Sequence, residues 1–269
     1  MFDFFSHEPG TEDLVVFRRG HCLVMMFNRP EKYNAFTPEM YRLLSRAYYQ
    51  IQHDPEIRCG LLVGEGSHFS AGLDLEQWAP SMTTGESLPL GDDAIDPFGI
   101  KGERLMKPVV VAIQGICFTS GLELMLNTEI RLSTKDARYA QMEVKRGIYP
   151  LGGGTVRLPR QIGWGNAQLL LMTGDEFSGE DAYRFGLVQK IEPIENLYCA
   201  AMEIVEKICD LAPLAIQASL KSSRTAVLQG EEHAMSELHS NLPPVAQSED
   251  AKEGLMSFLE RRKAVFKGR

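Results

Sequence analysis

The chain has 269 residues, 44% of them apolar and 24% charged, with a formal net charge of −8 and a pI near 5.4. That length holds one large domain, or a core with a smaller appendage, and it can bury a sizeable interior without covalent staples. The acidic balance argues against a nucleic-acid partner, which needs a basic surface to displace counterions, and the longest apolar run, residues 108–113, is far short of the roughly 20 residues that cross a bilayer, so no membrane partner is expected.

The first eight residues carry acid early and no basic stretch ahead of an apolar run, which resembles neither a secretory nor a mitochondrial leader. Residues 14–17 and 22–27 are apolar and β-prone around Arg-Arg-Gly-His, the pattern of a hairpin. Thr37 then caps a helix with Pro38 at its first position, running to about His53. Residues 58–63 read as a short buried strand, and the glycine-rich stretch 64–72 as a loop in close backbone contact with its surroundings. Residues 76–100, with Pro80, Thr83, Thr84, Gly85, Pro89, Gly91 and Pro97, read as a mobile excursion over the surface or a lid.

Residues 109–113 and 130–133 predict parallel strands joined by a helix over 120–127. Further helices are predicted near 154–163, 165–173 and 179–185, the last opened by the capping pattern of Ser178 and Asp181. From Ile194 the pattern is helical: 195–209, 213–228, 231–240 and 249–262, broken at Pro213, Gly230 and Pro243-Pro244. The chain therefore divides into a β-rich core, 1–195, and a helical region, 196–269, suited to wrapping the core or meeting another subunit.

Two carboxylates stand in glycine-marked segments. Glu123 falls in the first turn of the helix that opens near Ser120, where free N–H groups and the dipole attract developing negative charge. Glu143 lies in a segment of mixed polarity, read as a loop edge, just before Pro150-Leu-Gly-Gly-Gly154. Each also has an ordinary reading: dipole complementation for Glu123, pairing with Lys145 or Arg146 for Glu143.

The segments 27–35 (Phe-Asn-Arg-Pro-Glu-Lys-Tyr-Asn-Ala), 68–75 (His-Phe-Ser-Ala-Gly-Leu-Asp-Leu), 107–115 (Lys-Pro-Val-Val-Val-Ala-Ile-Gln-Gly) and 121–124 (Gly-Leu-Glu-Leu) resemble, in this order, those of the crotonase superfamily, the enoyl-CoA hydratases and isomerases. Further matches lie at 147–150, 153–160, 172–174, 185–188 and 248–254, so the resemblance spans nearly the whole chain. It implies an α/β fold, a crotonase-like spiral of repeated β-β-α units with a helical C-terminal assembly region, in homotrimers that pair into hexamers. The substrate it implies is an acyl-CoA thioester, with no cofactor besides the CoA that arrives on the substrate.

In that resemblance the N–H groups of Leu73 and Ser120 form an oxyanion hole, Glu123 activates water and Glu143 supplies a proton to the α-carbon. Ala35, Ala71, Asp74 and Leu75 match positions that line the adenine and pantetheine groove, Arg29 and Lys32 could meet CoA phosphates, and Phe258 and Lys267 match residues that approach CoA from a neighbouring subunit. The activity implied is syn addition or removal of water on a 2-enoyl-CoA. The alternatives are a 3,2-enoyl-CoA isomerase that uses one glutamate, and a non-catalytic acyl-CoA binder.

The chain departs from the family pattern in three places. Thr119-Ser120-Gly121 stands where three glycines are usual, so a positive φ at the donor would strain Ser120. Met142 replaces a proline before Glu143 and loosens its aim, and Leu151 stands where dienoyl-CoA isomerases carry an acid. Other chemistries find no support: the glycines at 152–154 lack the lysine of a P-loop, Ser120 and Cys117 lack a nucleophile elbow, and no histidine or cysteine spacing suits a metal. Five cysteines, odd in number and without C-x-x-C spacing, suit a reducing cytoplasm.

Overall fold

The computed structural model describes residues 12–84 and 88–269. The reading of the first eight residues, and the part of the 76–100 reading that falls on Gly85, lie outside the described residues. β1 (Leu14–Arg19) and β2 (Cys22–Phe27) form the expected antiparallel hairpin, Leu14 opposite Phe27. β2, β3 (Cys59–Gly64), β4 (Val109–Ile113), β6 (Ile130–Ser133) and β9 (Lys190–Ile191) follow side by side in parallel, completing a six-stranded sheet. A second sheet joins β5 (Ile116–Phe118), β7 (Arg138–Ala140) and β8 (Phe177–Ser178).

The chain climbs as a spiral. β4 feeds the large sheet, β5 the small one, and α3 (Ser120–Leu126) returns to β6, after which β7 again enters the small sheet. The turn before does the same with one residue, Ser70, which bridges in parallel to Cys117. Parallel strands need cover on both faces, and both are covered. Leu23, Met25, Leu62, Val109 and Val111 meet Leu44, Tyr48 and Ile51 of α1 (Pro38–His53) on one side. Val24, Met26, Leu61, Val63 and Val110 meet Leu197, Ala201 and Val205 of α7 (Ile194–Cys209) on the other.

Local chemistry sets the helix ends as expected: Thr37 accepts from Met40 N–H at 3.0 Å, and Ser178 and Asp181 close a full capping box ahead of α6 (Gly179–Arg184). α4 (Gly154–Ile162) and α5 (Trp164–Thr173) lie near the predicted bounds. After α7 come α8 (Pro213–Gln229), α9 (Glu231–Glu237), α10 (Pro243–Ala246) and α11 (Glu249–Glu260). Arg224 of α8 donates to the Leu105 carbonyl and the Glu129 carboxylate, and Arg58 holds the carbonyls of Cys209 (2.7 Å) and Phe266 (2.8 Å). Among the described residues no helix is long and apolar enough to cross a membrane.

Two expectations are corrected. The stretch read as a loop from residue 76 contains α2 (Leu75–Thr84), with Pro80 inside it. Asp74 starts this helix by accepting Trp78 N–H at 3.0 Å, and the Trp78 indole donates to the Phe36 carbonyl at 2.7 Å, so tertiary anchoring outweighs the composition. Further on, Asp96 accepts from Phe98, Ile100 and Lys101 N–H and from Tyr41, which ties that part of the supposed excursion to the core. The segment before Glu143 is also more regular than a loop edge: β7 buries Tyr139 completely against Phe177.

Candidate active site

Past the end of β3 the backbone runs between two other segments. On one side Ala71 N–H donates to Tyr33 (2.9 Å), Phe36 N–H to Gly72 (2.7 Å) and Asp74 N–H to Phe36 (3.0 Å). On the other, Ser70 N–H donates to Ile116 and Phe118 N–H to Ser70, both at 3.0 Å. His68 Nδ1 accepts Ile116 N–H at 3.2 Å, and burial together with nearby Arg138 lowers the imidazole pKa, which favours that neutral acceptor. Gly72, at φ 97°, lies so close to Thr119 Oγ1 that no Cβ would fit. Leu73 and Ser120 are the residues that follow this touching pair. Their N–H groups therefore leave neighbouring points of two adjacent segments, and among the described residues neither has a protein acceptor.

The strain expected at Ser120 falls instead on Thr119. Its φ of 48° with ψ of −115° is costly for a β-branched residue, whereas Ser120 is already the first residue of α3. Thr119 N–H bonded to the Ala140 carbonyl (2.8 Å) and its carbonyl bonded to Glu123 N–H (2.9 Å) hold the kink.

Glu123, 4% exposed, projects from the first turn of α3 onto the glycine turn that opens α4, where Gly154 N–H donates to its Oε1 at 2.8 Å. Burial raises its pKa to about 8, against the opposing pull of the Gly154 N–H, and the charge of Glu143 adds to the rise. The turn has no room for side chains: a Cβ at Gly152 would lie 2.6 Å from Glu123 Oε2, and one at Gly154 would lie 2.5 Å from the Gln141 amide and 3.2 Å from Glu123 Oε1.

Glu143 opens a 3₁₀ turn, Glu143–Arg146, and burial raises its pKa to about 7. Oriented to satisfy its neighbours, the buried Gln141 amide donates to both carboxylate oxygens, at 2.9 and 3.1 Å. Gln141 thus touches Glu143 on one side and the Gly154 turn that holds Glu123 on the other. Met142 has φ −103°, outside the range of the proline it replaces, and Gln141 supplies the aim that a proline would have stiffened. The alternative partners of Glu143 are otherwise placed, since Lys145 faces Asp175 at 3.4 Å and Arg146 is exposed.

Ala35, Ala71 and Asp74 meet along the ladder between residues 33–36 and 71–74, and Leu75 starts α2 beside it, half exposed. Lys32 is exposed in the 3₁₀ turn Pro30–Lys32. Arg29 turns inward instead: its guanidinium holds Asp13 (3.2 Å), Asp74 (3.1 Å) and the Ala35 carbonyl (2.7 Å), so it braces this ladder. Phe258, 80% exposed on α11, and Lys267, in the tail beyond it, lie elsewhere. Their tail docks on Arg58 at the start of β3, whereas the ladder between residues 33–36 and 71–74 begins past its end, roughly 17 Å on by strand geometry. Leu151 is 68% exposed.

Arg157 of α4 was not singled out in sequence. It donates to the carbonyls of Gly152 (3.0 Å), Phe98 (2.7 Å) and Gly99 (3.3 Å), locking the glycine turn to the 96–101 segment, and its charge lowers the pKa of Glu123. Three successive glycines were the only signal of this cage. No group of three His, Cys, Asp or Glu side chains that could hold a metal occurs among the described residues.

The sequence from residue 18 to 269 matches the enoyl-CoA hydratase/isomerase family. The chain belongs to that family. An enoyl-CoA hydratase of Mycobacterium tuberculosis, EchA19, is 37% identical over 97% of this chain and 98% of its own. A carnitinyl-CoA dehydratase of Salmonella paratyphi A is 34% identical over 96% of this chain and all of its own. Among solved structures, a probable enoyl-CoA hydratase/isomerase from Mycobacterium abscessus superposes with a TM-score of 0.91 at 39% identity, covering 96% of this chain and 99% of that one. An enoyl-CoA hydratase from M. tuberculosis gives 0.87 at 31% identity, with the same coverage. As a member of the enoyl-CoA hydratase/isomerase family, the chain carries the crotonase fold over essentially its whole length.

Proposed function

We propose that this protein adds water to, or removes it from, a 2-enoyl-CoA thioester, using Glu123 and Glu143 as the proton-transfer pair. The observation that carries the reading is the convergence of two buried carboxylates, both with raised pKa, on one Gln141–Gly154 junction, with Glu123 on the helix that opens one residue after the Gly72–Thr119 contact. The named relatives are a hydratase and a dehydratase, which run one water step in opposite senses.

In the hydration direction Glu123 takes a proton from water as its oxygen bonds to the β-carbon. The π electrons move onto the α-carbon and the thioester oxygen, and Glu143 delivers its proton to the α-carbon. The Leu73 and Ser120 N–H groups stabilise the charge on that oxygen, and one such donor is worth about 2.7–4 kcal/mol. Proton exchange between the two carboxylates resets the pair. With raised pKa values of about 8 and 7, the pair holds one proton about midway between them, near pH 7.5, and its protons belong to the couple rather than to either residue. No cofactor enters this scheme beyond the CoA of the substrate.

Ala35, Ala71, Asp74 and Leu75 form the CoA groove in this reading, with Lys32 near the phosphates and Arg29 as a brace. Assembly into trimers or hexamers through the helical region 196–269 is part of the proposal. Leu255, Leu259 and Phe258 of α11, each at least 61% exposed, support it, and they would bring Phe258 and Lys267 to a neighbour's groove. Five unpaired cysteines are in keeping with a reducing, cytoplasmic setting.

The test is loss of conjugated-thioester absorbance with crotonyl-CoA and longer or aromatic enoyl-CoAs, and light-scattering mass of the same preparation. Wild type should hydrate one of these, while Glu123→Gln and Glu143→Gln each lose about 10²–10⁴-fold. Double-bond migration that survives Glu143→Gln would instead establish an isomerase, and a monomeric mass would remove the assembly role.

A further inference from the structure

Ser120 carries two hydrogen-bonding groups, and among the described residues neither its N–H nor its hydroxyl has a protein partner. The residue is 4% exposed, so the hydroxyl is held inside the site rather than at the surface. A serine at a helix start ordinarily settles its hydroxyl in one of two ways, as the N-cap acceptor or by donating back to the carbonyl four residues earlier. Both are closed here. The N-cap position belongs to Thr119. The carbonyl four residues back is that of Ile116, which already accepts from Phe69 (3.1 Å) and Ser70 (3.0 Å) and so has both lone pairs engaged. The nearby Ser70 hydroxyl is bonded to Asn34 (2.9 Å) and Gly72 (3.2 Å).

Helix periodicity shows where the free hydroxyl lies. Residues three apart share a face, which puts Ser120 on the side of α3 that carries Glu123. Gly121 takes the side facing the loop, where its Cβ position is 3.0 Å from Ser70 Cβ. The positive-φ kink at Thr119 leads this serine into the helix one residue on from the Gly72–Thr119 contact, as Leu73 is on its own segment, and strained backbone of this kind is found where surrounding structure enforces a function.

We infer that the Ser120 hydroxyl is a third donor to the thioester oxygen, so that the oxyanion hole of this chain consists of two N–H groups and one O–H. The inference rests on the hydratase reading of the same site. As electron density moves from the Cα=Cβ bond onto the thioester oxygen, the O–H strengthens its hydrogen bond and keeps its proton, so no atom is transferred. A buried hydroxyl without a partner destabilises the free protein. Its bond gains most when the oxygen is most negative, which is the differential binding that accelerates a reaction.

Ser120→Ala removes the O–H and leaves the N–H in place. It should lower kcat/KM by about a hundredfold, with the loss in kcat rather than KM, while raising the Tm of the free protein. In a Glu123→Gln, Glu143→Gln background, which binds without turnover, the absorbance maximum of a bound aromatic enoyl-CoA should move to shorter wavelength when Ser120→Ala is added, because a less polarised carbonyl absorbs at higher energy. Ser120→Gly provides the same deletion should the alanine variant fold poorly. Unchanged kcat/KM with an unmoved bound spectrum overturns the inference, whatever happens to Tm. If wild type hydrates no enoyl-CoA, it is the hydratase reading that falls, and the bound spectrum then tests the hydroxyl separately.

Discussion

Glu123 and Glu143 are supported by two different kinds of scaffold. Glu123 leaves a helix and is met by backbone: the Gly154 N–H bonds it, and two glycines make room for it. Glu143 leaves a four-residue 3₁₀ turn and is met by a side chain, the Gln141 amide, which donates to both of its oxygens. Burial raises both pKa values, yet the position of Glu123 is set by the path of the main chain, and that of Glu143 by one rotamer. Disturbing the support of Glu123 should therefore disturb the fold, while disturbing that of Glu143 should act mainly on chemistry.

Arg157→Met and Gln141→Leu separate the two cases, and the first should have the larger effect. Losing the guanidinium leaves the carbonyls of Gly152, Phe98 and Gly99 without their donor, at about 1–3 kcal/mol for each that stays buried and unpaired. Thermal unfolding should shift down by several degrees, and kcat should fall at least tenfold as the Gly154 turn loosens around Glu123. Gln141→Leu removes two donors that favour the ionised form of Glu143, so the pKa of Glu143 rises further. Its Tm at pH 5, where that carboxyl is protonated, should stay near wild type, while the pH–rate profile moves to higher pH. A greater loss of Tm in Gln141→Leu than in Arg157→Met would reverse the comparison.

The parts of this site that were legible in sequence are those fixed by local chemistry. Thr37-Pro38 and Ser178 with Asp181 announce their helices because capping is a contact between near neighbours. The glycine-marked setting of Glu123 and Glu143 was visible for the same reason. Gln141 and Arg157 were not, because their partners are set by how the Gly152–Gly154 turn approaches α3 and the 96–101 segment. β8 and β9 have two residues each, too short for any periodicity, and exist only through their pairing with β7 and β6. α2 was hidden by Pro80, since composition there argues for a loop and the Trp78 indole bond to Phe36 decides otherwise. The cost of replacing the family glycines was foreseen, but one residue late: Thr119 carries the positive φ.

The last expected effect is on stability as pH changes. Both carboxylates have a folded pKa above the ordinary 4.5, about 8 for Glu123 and about 7 for Glu143. Between about pH 4.5 and 8 the folded chain therefore holds protons that the unfolded chain has released. The resulting stability is fully present below pH 4.5 and is lost as pH rises through 7 and 8. Buried Glu65 and partly buried Glu129, whose pKa values desolvation also raises, act in the same sense. Differences between variants isolate the pair. Wild-type Tm should fall from pH 5 to pH 8, and the fall should be smaller in Glu123→Gln and in Glu143→Gln, because glutamine has no proton to release. The reduction should be greater for Glu123→Gln, since the backbone cage keeps that carboxylate the more buried of the two. Equal slopes in wild type and both variants would mean that neither carboxylate is held out of water, and the distinction between the two scaffolds would lose its electrostatic basis.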